Sequence, residues 1–211
     1  MKLIDLTQKF TSEMPVYPGD TRPELKETST VAKDGFGHFH ITTGMHVGTH
    51  IDGPLHFIEG GKKLSEYGPE KFIGRGVLID ATMLSHSSGV KEIGTEFLKD
   101  LQIDAQTVVL VHTDMSKKFR EAEYYTDSPV LTEELGNALV KAGVKMVGMD
   151  MNGPDKPPFN VHKILLGAEV LIIENLTNLD QLVGVKEFEV IALPVYFDTE
   201  AAPARVVARI I

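Results

Sequence analysis

The chain contains no cysteine and no tryptophan. Without thiols it can form no disulfide and can offer no thiolate to a metal, so any ion it holds must be bound through histidine nitrogen and carboxylate oxygen. That donor set points to a divalent ion, Zn2+ first and Mn2+ as the alternative. Positive charge is also scarce: 21 Lys and Arg stand against 30 Asp and Glu, a formal net charge of −9. Nucleic acid is excluded as a partner, because phosphate binding needs a basic surface. No apolar run reaches membrane-spanning length, and the first residues carry no basic-then-apolar signal segment. The expectation is therefore a cytoplasmic protein without a membrane partner.

What is present suits one globular domain over residues 1–211, with 42% hydrophobic and 24% charged residues. Runs rich in Val and Ile at 76–81, 107–113, 144–149, 169–174 and 188–197 are punctuated by Gly, Pro and Asp and read as strands, as does the opening 1–6. Helical character is predicted over 95–101 and 132–142. The second has Thr132 as a cap, Glu133 and Glu134 in the first turn and Gly143 as a stop. This helix followed by the strand from Val144 reads as half of a βαβ layer, and 188–197 with 204–211 as an antiparallel pair. The class is α/β with a mixed sheet. The stretch 114–130 reads as a surface excursion: a lid, a subunit contact or a plain solvated loop.

Three of the eight histidines fall within eleven positions, His46-Val-Gly-Thr-His50-Ile-Asp52-Gly-Pro-Leu-His56. On one helix His46 and His50 would share a face but Asp52 and His56 would not. On one strand all four would align but span roughly 33 Å, too far for one ion. Gly48 and the Gly53-Pro54 pair supply bends that let the backbone fold around a point, as a metal site built on a loop requires. His38 and His40 alternate on a strand, His86 sits in a Ser-rich turn and His112 ends an apolar strand, so all four read as structural. His162 and Glu174, the latter closing an apolar strand, are further candidate ligands.

The motif His46-x-Gly-Thr-His50-x-Asp52-x-Pro-x-His56 resembles the signature of the cyclase-type metal hydrolases, which include bacterial kynurenine formamidase and isatin hydrolase. Pro15-Val-Tyr-Pro-Gly-Asp20, the stretch from Gly148 to Asp155, His162-Lys-Ile-Leu-Leu166, Glu174-Asn-Leu-Thr-Asn-Leu179 and Pro203-Ala-Arg205 follow in the family's order. The resemblance implies a swivelling β/β/α fold and a centre of one or two metals. His46 and His50 would bind the first ion, Asp52 would bridge to a second held by His162, and Glu174 would contact one or both. His56 would donate and accept protons, and Tyr17 stands where the formamidases carry an aromatic residue, usually Trp, against an aryl substrate. The family's Asp-x-x-Ser-x-Asp reads Asp150-Met-Asn-Gly153-Pro-Asp155 here, without the serine. The implied activity is hydrolysis of a small-molecule C–N bond, N-formylkynurenine to kynurenine and formate in tryptophan catabolism, by a homodimer or tetramer. A ring-opening hydrolase of an isatin-like lactam is the rival enzyme. A structural or sensory metal-binding module is the non-enzymatic one, although a purely structural zinc is normally closed by four protein ligands and has no use for a spare His56.

Overall fold

The computed structural model describes residues 1–85 and 91–211, and His86 lies outside the described residues. The described chain forms β1 (Lys2–Asp5), β2 (Glu24–Ser29), β3 (His38–Thr42), β4 (His50–Asp52), β5 (Ile73–Asp80), β6 (Glu92–Ile93), β7 (Thr107–His112), β8 (Val130–Leu131), β9 (Met146–Met149), β10 (Leu171–Glu174), β11 (Phe188–Pro194) and β12 (Ala201–Ile210). Eight of them make one mixed sheet in the order β1-β12-β11-β5-β7-β9-β10-β4. The sheet closes on itself because β12 is long enough to serve two neighbours along one edge. Its first residues, Ala201 to Pro203, pair with β4, and its last, Val207 to Ile210, pair with β1. The result is a barrel-like α/β fold with few helices, as the sequence suggests.

Alternation along the strands explains how the barrel is filled. On β7, Val108 and Leu110 join an inner cluster with Ile51, Ile173, Val190 and Val206, while Val109 and Val111 face an outer cluster. Both faces of β7 are covered, which is why its sequence is an unbroken apolar run. The inner side of β12 carries Ala202, Ala204 and Ala208, small residues suited to a crowded barrel interior. The outer cluster is roofed by the helices Glu133–Ala142 and Asn160–Gly167, through Leu135, Leu139, Val161, Leu165 and Leu166. The first helix begins and ends as its sequence predicts. The Thr132 side chain accepts from Leu135 N, and Gly143 closes it at φ 72°. It connects β7 to the parallel β9, the expected crossover.

Two expectations are corrected. Residues 95–101 do not form a helix; only a single 3-10 turn, Thr95–Leu98, is made, and the backbone turns away at Asp100, φ 65°. The stretch 114–130 is not a plain surface excursion either. Met115, Phe119 and Tyr124 are buried in the outer cluster, carried on the short turns Met115–Lys118 and Glu123–Thr126. The histidines read as structural fall where expected among the described residues: His38 and His40 on exposed β3, and His112 at the buried end of β7 with Nε2 3.1 Å from Asp114.

Candidate active site

Half of the histidine motif is strand rather than loop. His50 and Asp52 lie on β4, two residues apart and so on one face. β4 is wedged between β10 and β12, with His50 directly opposite Glu174. The bends lie on either side. Gly48 takes φ +69°, a left-handed conformation that a side chain would strain, in the turn that brings His46 back over β4. After Gly53, the turn Pro54–His56 returns His56 to the same point. His162 arrives from the helix Asn160–Gly167, in the crossover between β9 and β10.

The side chains converge closely. His46 Nδ1 is 2.9 Å from Asp52 Oδ1 and 3.3 Å from His50 Nε2. His50 Nε2 is 3.3 Å from Asp52 Oδ1 and 3.5 Å from Glu174 Oε2. The other oxygen of Glu174 lies 3.4 Å from His162 Nε2. Two groups offer donor atoms all within 4.8 Å of one another, His46–Asp52–His56 and His50–Asp52–Glu174, and Asp52 belongs to both. His162 joins neither group and touches the cluster through Glu174.

These atoms face a common point more than they bond one another. Both oxygens of Asp52 are buried without a hydrogen-bond partner, although ring nitrogens stand close to Oδ1. The rings converge on the carboxylate without completing a hydrogen bond to it. A buried carboxylate lacking aligned donors is costly unless a cation completes it. The histidines are also backed in the manner of ligands. His50 Nδ1 donates to Gly48 O at 2.8 Å, His162 Nδ1 pairs with Asp155, and His46 Nε2 lies 3.4 Å from Glu200. The acceptors at His50 and His162 hold one ring nitrogen protonated and leave the other to point inward, and Glu200 stands near the outer nitrogen of His46. The residues therefore fit a divalent cation. His56 is held differently, ring against ring, 4.2 Å from His46 and 4.4 Å from Phe57.

Electrostatics divide the histidines the same way. Burial opposes charge on all four. At His50 the Asp52 and Glu174 carboxylates outweigh it and raise the pKa to about 9; at His162 Asp155 and Glu174 do the same, again to about 9. His46 is raised more modestly, by Asp52. At His56 burial prevails, helped by the neighbouring imidazoles, and the pKa falls to about 4. Asp52 is held well below the usual carboxylate range: burial would raise it, but His50 and His46 outweigh burial. In the metal-free protein at pH 7, His50 and His162 thus carry protons that an incoming cation must displace. Metal uptake should release protons, and apparent affinity should strengthen with pH up to about pH 9, by about 10-fold per unit for the His50 proton and about 100-fold where His162 gives up its proton as well. Calorimetry in buffers of different ionisation enthalpy reads this directly. Affinity independent of pH would contradict the arrangement.

The cluster opens into a cavity of about 310 Å³. Its walls include Phe57, Phe159, Tyr17 and Tyr125, and Asp20, Asn152 and Lys156 also line it. Tyr17 meets Tyr125 edge to face at 6.2 Å. Burial, with Asp20 and Glu174 nearby, lifts Tyr125 to about 12, so its hydroxyl stays a donor. Sequence reasoning placed Tyr17 here but missed Phe57, Phe159, Tyr125, the backing acceptors Asp155 and Glu200, and Asn175. Phe57 follows His56 directly, and Asp155 and Asn175 lie in stretches already matched to the family, so signals for these three were available; Phe159, Tyr125 and Glu200 come from segments with no motif to mark them.

A family model described as "Putative cyclase" matches residues 4–156. Kynurenine formamidase of Bacillus mycoides (strain KBAB4) is 29% identical over 215 residues, covering 98% of this chain and 96% of its own. Among solved structures, isatin hydrolase A from Labrenzia aggregata bound to benzyl benzoate superposes with a TM-score of 0.87 at 28% identity, covering 98% of this chain and 93% of that one. A structure described as a potential metal-dependent hydrolase with cyclase activity gives 0.77 at 28% identity, covering 98% and 96%.

Proposed function

Since the chain belongs to the cyclase family, we propose that it is a metal-dependent hydrolase of the C–N bond in a small aryl amide, with N-formylkynurenine its foremost substrate. The observation that carries this reading is the pair of donor groups joined at Asp52, His46–Asp52–His56 and His50–Asp52–Glu174, with His46, Asp52, His56 and Glu174 lining an aromatic-walled cavity. His46, His50, Asp52 and Glu174 would hold the ion, and His162 would join them through Glu174 if a second ion is bound. The ion is zinc first, manganese second. When bound, a divalent cation acidifies a water and polarises the scissile carbonyl.

The chain's own residues do the rest. Phe57, Phe159, Tyr17 and Tyr125 grip an aryl group and exclude bulk water from the bond to be broken. An anilide nitrogen leaves poorly as an anion, so it must be protonated as the bond breaks. His56, neutral at pH 7 before substrate binds, can accept a proton from the attacking water and return it to the nitrogen. Asp20 and Lys156 place one negative and one positive charge on the cavity wall. That pair suits the ammonium and carboxylate of an amino-acid tail, which N-formylkynurenine has and isatin lacks.

A turnover screen tests the reading: N-formylkynurenine, a plain formanilide and isatin, with zinc or manganese added, before and after chelation. Metal-dependent turnover fastest on N-formylkynurenine is expected. Tight metal binding with no turnover of any of them would favour a binding module instead. Self-association belongs to the same proposal, as a homodimer or tetramer. The β2–β3 hairpin, with its connecting segment, holds Val31, Phe36, Phe39 and Ile41 more than half exposed, and a two-stranded ribbon is marginal unless covered. Sedimentation at micromolar concentration should show an oligomer, and a monomer there would sink that part.

A further inference from the structure

Behind His50 runs a buried chain of hydrogen bonds that ends in the 114–130 segment. His50 Nδ1 donates to Gly48 O at 2.8 Å, and that carbonyl accepts a second bond, from Asn175 Nδ2 at 3.0 Å. Asn175 Oδ1 in turn accepts from the hydroxyl of Tyr124 at 2.7 Å. All three side chains are buried, Tyr124 completely. Asn175 directly follows Glu174 and takes the left-handed conformation, φ 58°, which asparagine tolerates better than most residues. Its backbone is pinned as well: its N–H donates to Met151 O, and its carbonyl accepts from Thr49 Oγ1 at 2.7 Å.

We propose that Tyr124 and Asn175 are positioning residues that fix the tautomer and aim of His50 through the Gly48 carbonyl. This rests on the reading of His50 as a metal ligand. The amide of Asn175 has two ends, and only one orientation serves both neighbours. A hydroxyl donor at Tyr124 draws Oδ1 to its side, which leaves Nδ2 for Gly48 O. The opposite flip would set two acceptors against each other inside the core, where an unmade bond is expensive. With Gly48 O held in place, Nδ1 keeps its proton, and Nε2, among Asp52, His46 and Glu174, is the nitrogen free to bind a cation that enters there. The 114–130 segment then has a defined task. Phe119 and Tyr125 pack edge to face on Tyr124, at 5.3 and 5.2 Å, and hold its hydroxyl over Asn175.

Tyr124→Phe keeps the shape and removes the hydroxyl. Asn175→Asp keeps the size and the tolerance of positive φ but places an acceptor against Gly48 O. Zinc dissociation constants by chelator competition, with long-range 1H–15N spectra of the His50 ring in the zinc-loaded protein, form the test. Each variant should weaken zinc binding by about 10–100-fold, the usual effect of losing a group that orients a ligand. The His50 Nδ1 proton should shift and exchange faster. The double variant should weaken binding by less than the product of the two single effects, because both cut one relay. Dissociation constants within twofold of the parent, or weaker binding with an unchanged His50 ring proton, would overturn the proposal. A parent protein that takes up no zinc would instead overturn the metal-ligand reading beneath it, and the inference with it.

Discussion

Asp52→Asn is expected to abolish stoichiometric metal binding and to lower kcat/KM by about 10⁴-fold or more, a scale set by losing a cation that brings the pKa of water from about 15.7 to about 7. Asp52 is the residue common to both donor groups, so its loss weakens both. The amide keeps the size of the carboxylate but removes its charge, and it presents an NH2 to ring nitrogens that already converge there. The metal-free protein should also report the change. Asp52 is the main opponent of burial at His50, whose pKa stands at about 9. Without that carboxylate burial gains ground, and the pKa of His50 should fall. Metal analysis, steady-state kinetics and an imidazole titration by NMR read the three effects. Retained metal and near-parent turnover would remove Asp52 from the centre.

His56→Ala is expected to keep its metal and lose about 10²–10⁴-fold in kcat, the usual worth of a general acid–base group. Geometry alone leaves His56 two roles, since it stands with His46 and Asp52 as a donor group. The backing of the rings separates them. His46, His50 and His162 each have an acceptor near the outer nitrogen, whereas His56 is held by ring contacts with His46 and Phe57. A ring without such a tether can change its protonation during turnover. Its lowered pKa, about 4, leaves the ring unprotonated across the neutral range before turnover. The loss should fall on kcat rather than KM, because the aromatic walls stay intact. Loss of metal from this variant would reassign His56 as a ligand, and unchanged turnover would leave it no role in proton transfer.

Much of this was legible in the sequence, for identifiable reasons. The strands with both faces covered, such as β7, show as unbroken runs of Val and Leu, and the helix Glu133–Ala142 carries its own cap and stop. The density of His46, His50, Asp52 and His56 around Gly48 and Gly53 announced a convergent site. Short elements were harder. β4 has three residues, too few to show a period, so its two candidate ligands read as loop. At 95–101 a helical composition was overruled after one turn. In 114–130 the buried Met115, Phe119 and Tyr124 are interleaved with Lys117, Lys118 and Arg120, and the charges masked an anchored segment. Asp155 and Asn175 lie inside stretches that follow the family's order, but nothing in those stretches says which side chain stands behind a histidine; Glu200 carries no motif, and only the fold brings it to His46.

The most direct test is anomalous diffraction from crystals grown with zinc or manganese, collected on either side of the metal's absorption edge. The account predicts a peak among His46, His50 and Asp52, at roughly 2.0–2.2 Å from their inward nitrogen and oxygen atoms if the metal is zinc. A peak confined to the protein surface, or an ion whose surroundings leave no position for a water, would contradict it.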